Sequence, residues 1–210
     1  MLALACAAGA QAQVIFNVLA PQNLAGTYDI TWTDQAGGWG TVDMLDPANS
    51  VEDTLVFVSD GTASDSLGCE TLTNGADVSG QIAVCYRGTC EFGMKANQAQ
   101  LAGARALIII NNIPGAPVAM GAGTLGVDDT IPVVMISDVD GANLRGAIEA
   151  GAAIGFIGSI NGLYANDIGF FRTDVRIPQV GSFPPLLATN GTEYQFRLGI
   201  FLNNYGQNAQ

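Results

Sequence analysis

The 210 residues contain no histidine. That excludes a Ser-His-Asp or Cys-His catalytic arrangement and any histidine-ligated metal within the chain. Positive charge is also scarce. Seven Lys and Arg stand against 19 Asp and Glu, for a net charge of -12. Lys95 is the only lysine, and no Lys or Arg precedes Arg87. A Gly-x-x-x-x-Gly-Lys-Ser/Thr phosphate loop is absent. From Asp29 to Asp77 there are ten acidic residues and no basic one. Such a field repels phosphate backbones and anionic membrane surfaces, so no nucleic-acid partner is expected. It suits a soluble acidic surface, and it also suits weak calcium binding or a basic partner. Past the first dozen residues no apolar run approaches the ~20 residues of a membrane-spanning helix, so no transmembrane segment is expected. No catalytic residue and no metal ligand set is expected in the chain. An enzyme here would need paired carboxylates or Lys95 as its base.

Apolar residues are plentiful at 49%, against 12% charged. That is enough for a core and unlike a disordered chain. The opening MLALACAAGAQAQ reads as the apolar region and cleavage site of a signal peptide over residues 1–12, cut after Ala12. Its basic leader is missing, so the signal reads as incomplete. A lipoprotein signal anchored at Cys6 is a second reading. Either one places the protein outside the cell or on its surface, where disulfides form. Cys69, Cys85 and Cys90 then remain, enough for one bridge and one free thiol. Cys85 lies in an apolar run and reads as a small buried hydrophobe. Cys69 and Cys90 lie in loops on either side of that run, and Cys69–Cys90 is the favoured pair.

Apolar, β-branched runs predict strands at 14–18, 26–33, 55–58, 132–137 and 153–157. A helix is expected over 139–150, with Asp138 as its N-cap and Gly151 closing it. Asp138 and Asp140-Gly141 lack the spacing and terminal Glu of an EF-hand, so calcium there would be weak and no cofactor is expected. The connection from Asn112 to Asp129 is long and rich in Gly, Pro and Ala. Gln35 to Gly40 reads as a flexible loop carrying an exposed or half-buried Trp39. The segment 159–210 reads as a β-rich extension that opens a β-sandwich, with the chain expected to continue past Gln210.

The most telling stretch is GQIAVCYRGTCEFGMKANQAQLAGARALIIINN, from Gly80 to Asn112. An apolar strand over Ile82–Tyr86 breaks at Arg87-Gly88. A helix near 93–103 follows, and a wholly apolar strand over Ala106–Ile110 stops at Asn111-Asn112. This is a strand–helix–strand unit of roughly thirty residues, the length a parallel crossover needs.

The order Ile82-Ala83-Val84, Arg87-Gly88-Thr89-Cys90, Phe92, Lys95, Asn97-Gln98-Ala99, Gly103-Ala104 and Ile108-Ile109 resembles the protease-associated (PA) domain. The run Ile131 to Ser137, then Asp140-Gly141 and Leu144, resembles the end of that domain. The resemblance spans residues 50–158. With the N-terminal strands it makes one PA domain over 13–158. It implies a three-layer, swivelling β/β/α fold with two helices on one side, followed by the all-β extension. Some PA-containing proteases resemble an arrangement with Cys69–Cys85 as the bridge, which is the competing pair. The resemblance implies a non-catalytic module that binds a protein or peptide, or gates access to a partner domain of the same polypeptide. Its style is that of exported bacterial proteins. The alternatives are an accessory domain of a secreted metallopeptidase and a structural segment of a surface adhesin or stalk.

Candidate ligand contacts follow from topology. Ligands bind beyond the carboxyl ends of parallel strands in open α/β sheets. That points to Arg87, Gly88 and Thr89 after one strand, Asn111 and Asn112 after the next, and Met120 in the Gly-rich connection. Arg87 could pair with a peptide carboxylate. Its competing role is an ion pair with an acidic neighbour in its own domain. Phe92 reads as a core anchor. Lys95 is expected to pack its stem and reach a loop carbonyl or acid with its amine.

Overall fold

A run without polar residues needs apolar cover on both faces, and two such runs set the middle of the sheet. The computed structural model describes residues 14–40 and 42–160, with strand residues 168–169, 175–176, 199–200 and 203–204. Its first eight strands are β1 (Val14–Ala20), β2 (Gly26–Tyr28), β3 (Thr31–Trp32), β4 (Val51–Phe57), β5 (Ile82–Tyr86), β6 (Ala106–Ile110), β7 (Val133–Ile136) and β8 (Ile154–Ser159). The helices are a single turn α1 (Gly75–Val78), α2 (Phe92–Leu101) and α3 (Asp138–Glu149).

The eight strands form one sheet in the order β2-β1-β8-β4-β5-β6-β7-β3. Strands β4 to β7 run parallel, and the apolar runs β5 and β6 are the inner pair. β4 has two partners. Its polar start, Val51–Thr54, pairs antiparallel with β8, and Leu55–Phe57 pairs parallel with β5. Strands β1, β2 and β8 are hydrogen-bonded into this same sheet. The expected strand 26–33 divides in two, because β2 pairs with β1 at one edge and β3 pairs with β7 at the other. Only Asp29 and Ile30 separate those edges in sequence. Three peptide units reach roughly 11 Å at most. The sheet therefore curls until its two edges nearly meet.

Side chains alternate across the sheet and build two cores. One holds Phe16, Leu55, Ile82, Val84, Ile108, Ile110, Val134 and Ile136 with Leu144 and Ile148 of α3. The other holds Ala83, Cys85, Leu107, Ile109, Val133 and Met135 with Ala96 and Ala99 of α2. The two helices thus cover opposite faces, not one side as the resemblance implied. Each uses a glycine for close approach. A Cβ on Gly93 of α2 would collide with Ala122 O and Gly126 N, and one on Gly141 of α3 would collide with Ile110.

α3 begins one residue earlier than expected. Ser137 is its N-cap, with extended backbone and a hydroxyl that accepts from Asp140 N–H. Asp140, three residues on, takes the returning bond from Ser137 Oγ at 2.7 Å. This reciprocal pair leaves no capping role for Asp138, whose Oδ1 accepts from Gly115 N–H at 3.0 Å. Trp39 is buried, not exposed or half-buried. Its Nε1 donates to Met120 O at 2.8 Å, a partner 81 residues away.

The chain divides into two compact units, and Ala12–Leu163 is the one described so far. In the other, β9 (Ile168–Gly169) pairs antiparallel with β12 (Asn203–Asn204), and β10 (Val175–Arg176) with β11 (Gly199–Ile200). The signal peptide over 1–12, Cys6 and most of the 159–210 extension lie outside the described residues. Among the described residues no helix is long and apolar enough to cross a membrane.

Candidate functional site at the carboxyl ends of β5 and β6

β5 and β6 end together, so the residues after each share one end of the sheet. Arg87 N–H donates to Ile110 O at 2.8 Å, and its Nη1 donates to Asn111 Oδ1 at 3.0 Å. The guanidinium carbon stands 5.9 Å from the centre of the Phe92 ring, within cation–π range. No carboxylate pairs with Arg87 among the described residues. The expected acidic partner is replaced by a neutral amide, because Asn111 is the residue that the parallel register sets beside it.

Asn111 is buried and acts as a hub. Its Nδ2 donates to Ala116 O at 3.1 Å, and its Oδ1 also accepts from Ile113 N–H at 3.4 Å. It fixes the turn after β6 and aims Arg87. Asn112 is exposed, with its Nδ2 on the Gly88 side of the turn. Gly88 has φ of +138 and Thr89 has φ of +63. Thr89 is exposed and is the non-glycine residue with positive φ among the described residues. Strain of that kind persists where neighbours enforce it. The next residue, Cys90, is bonded to Cys69. Of the two candidate pairings the structure has Cys69–Cys90, with Cα atoms 5.8 Å apart, and leaves Cys85 buried and free.

Below this loop lies a polar knot. Lys95 is 1% exposed. Its Nζ donates to Leu67 O at 2.6 Å and lies 3.6 Å from Cys69 Sγ. Burial pulls its pKa down, and the nearby Asp60 charge acts in the opposite sense. The buried carboxylate of Asp60 accepts from Thr62 Oγ1 at 2.7 Å and from Cys69 N–H at 3.0 Å. Burial pushes its pKa up, but the hydrogen bonds from Thr62, Cys69 and Glu70 outweigh burial and hold it below the usual carboxylate range. Burial pushes the Cys85 thiol up to about 12, so it stays neutral and is no nucleophile at physiological pH.

Met120 does not join the site as a contact surface. It is buried in the core under α2, because its own carbonyl anchors Trp39. Phe92 is partly buried against that same core. Sequence reasoning did not anticipate the burial of Asp129. Its carboxylate is 2% exposed, and neither oxygen has a hydrogen-bond partner among the described residues. Burial, with the neighbouring Asp128 charge, raises its pKa to about 7. Nothing local marks Asp129 out, since its burial depends on distant Trp39 and Gly40 closing over it. Among the described residues no group of three or more Cys, Asp or Glu side chains could hold a metal ion.

The PA domain family model matches residues 51–144, from the start of β4 into α3. Residues 51–144 form a PA domain. The PA segment also brings out relatives. Over 138 residues the chain is 31% identical to leucine aminopeptidase 2 of Arthroderma otae, covering 60% of this chain and 27% of that protein. It is 34% identical over 107 residues to leucine aminopeptidase 2 of Trichophyton equinum, covering 50% and 20%. The chain thus spans about a quarter of the length of these relatives. Among solved structures, an aminopeptidase from Aneurinibacillus sp. strain AM-1 shares the fold, with a TM-score of 0.51 and 24% identity over 70% of this chain and 30% of that one.

Proposed function

We propose that this chain is the non-catalytic PA module of an exported peptidase. In that role it contacts a protein or peptide and shapes access to a partner domain. The observation that carries this reading is the pairing of the PA match with relatives that are named aminopeptidases and extend well beyond the matched segment. The disulfide suits an oxidising compartment. The described residues also offer no thiol or amine set up as a nucleophile. Cys85 is neutral and buried, and Lys95 is committed to a carbonyl.

In this reading the contact is made by the Arg87 loop. Arg87 is half-buried and oriented by Asn111, and it pairs with no carboxylate among the described residues, so its remaining donors suit an acidic group on the partner. Gly88, Thr89 and Asn112 supply backbone and amide groups beside it. Two measurements test the proposal. The purified chain leaves leucine p-nitroanilide intact, and hydrolysis that survives host-protease controls would sink the non-catalytic reading. Arg87→Ala weakens capture of an acidic peptide about tenfold or more while the melting temperature stays within a few degrees. Unchanged affinity makes the loop structural.

A further inference from the structure

β3 ends the sheet, and among the described residues no strand pairs with its outer edge. Thr33 N–H donates to Val133 O across the β3–β7 ladder at 3.1 Å. Backbone groups alternate in direction along an antiparallel strand, so Trp32 N–H and C=O point the other way, toward the open edge. Among the described residues neither has a partner outside the ladder. Natural sheets guard such edges with Lys, Pro or a bulge. Residues 29–33, DITWT, contain neither Lys nor Pro.

The edge has a shape as well as unused backbone groups. Because the sheet curls, β3 faces the opposite margin across a gap of about 360 Å³, lined by Ile15, Thr27, Asp29, Thr31, Trp32 and Pro117. The Trp32 side chain is 41% exposed and also walls a groove of about 320 Å³ on its other side. An unpaired edge beside an apolar shelf is what an added strand requires.

Charge selects the occupant. Asp29, Asp34 and Asp43 are exposed around Trp32. No Lys or Arg precedes Arg87 in the chain. The described ion pairs, Arg105–Asp53 and Arg145–Glu149, leave these three carboxylates unneutralised. We propose that the β3 edge binds an extended basic peptide segment. The segment adds as a strand along Trp32, places an apolar side chain on the indole and turns Lys or Arg toward Asp29 and Asp34. This rests on the reading of the chain as a peptide-contacting module. It differs in chemistry from the Arg87 loop, which suits an acidic group.

The test titrates the isotope-labelled 210-residue chain with Ac-Val-Arg-Val-Lys-Val-NH2 and with its acidic counterpart Ac-Val-Glu-Val-Glu-Val-NH2. The expected result is saturable amide shifts over residues 29–34 with the basic peptide alone. Affinity falls with added salt. It drops by about tenfold or more in Trp32→Ala, as for a buried aromatic anchor. The double variant Asp29→Asn with Asp34→Asn keeps the side-chain shapes and also weakens binding. No shift with the basic peptide, or undiminished binding in both variants, overturns the proposal. Shifts confined to residues 87–90 and 111–112 overturn it but leave the peptide-contact reading standing. Self-association that Trp32→Ala abolishes makes the occupant a second copy and overturns it too. If neither peptide binds anywhere on the chain, both readings fail.

Discussion

The two helices that cover the central sheet meet it with different side chains. The α3 side is packed with large aliphatic and aromatic side chains, among them Phe16, Leu55, Ile108, Ile110 and Leu144. On the α2 side the helix itself contributes only small buried apolar residues, Gly93, Ala96 and Ala99, against Cys85, Leu107, Ile109, Val133 and Met135, and the same helix buries Lys95. Trp39 belongs to that side too, and Asp129 is buried beside it. Large side chains keep a helix at a distance and fill the space with transfer energy. Small ones let α2 approach closely, as Gly93 against Ala122 and Gly126 shows. The space saved brings loop backbone within reach of a buried amine. Both faces bury apolar core, and the α2 face also ties loop backbone down, at Leu67 O through Lys95 and at Met120 O through Trp39.

Changes of pH bear on this contrast most strongly. Asp129 has a folded pKa raised to about 7, above its unfolded value. Its contribution to stability is fully present below about pH 4 and is lost as pH rises through about 7, a span of roughly 4 kcal/mol at most. Urea unfolding at pH 5 and pH 8 should show the loss, and Asp129→Asn should flatten it. A wild-type profile already flat between these pH values would show that the carboxylate is solvated or paired. Next in size is Leu144→Ala on the aliphatic side, expected to cost about 3 kcal/mol through a cavity under α3. The chemical-denaturation midpoint reports it. A loss under about 1 kcal/mol would mean that this face collapses as easily as the other. The smallest effect is expected from Lys95→Met, which replaces a buried cation by an apolar chain of similar length. Stability should change by about 1 kcal/mol or less, since a desolvated charge recovers little net energy. A loss comparable to Leu144→Ala would make the amine a structural clamp in its own right.

Some of this architecture was legible in the sequence. The expected strands Ile82–Tyr86 and Ala106–Ile110 match β5 and β6 at both ends, since each apolar run stops at a residue that cannot stay buried without special partners. Lys95 reaches a loop carbonyl as its stem and position implied, and the Cys69–Cys90 pairing followed from two loops flanking one strand. What was illegible depended on distance. Helical periodicity shows which side of α3 is buried but not which face of the sheet it covers. Trp39 reads as loop because its neighbours are glycines, and what holds it inside, Met120 O and the packing against Gly126, lies far along the chain. The split of residues 26–33 into two strands required knowing that β1 and β7 sit at opposite margins of one sheet. The partner of Arg87 was mistaken on statistical grounds, because 19 acids against 7 bases favour an acidic neighbour while strand register places Asn111 there.

Cys85 has a use that follows from its position. Its thiol is 1% exposed at the centre of β5, and its neutrality at physiological pH makes it inert while the strand is paired. A reagent can reach it only when β5 leaves the sheet. The alkylation rate of the peptide carrying Cys85, followed by mass spectrometry in native buffer, therefore counts rare openings of the central strands. The domain carries its own clock for those events, with no probe to engineer in.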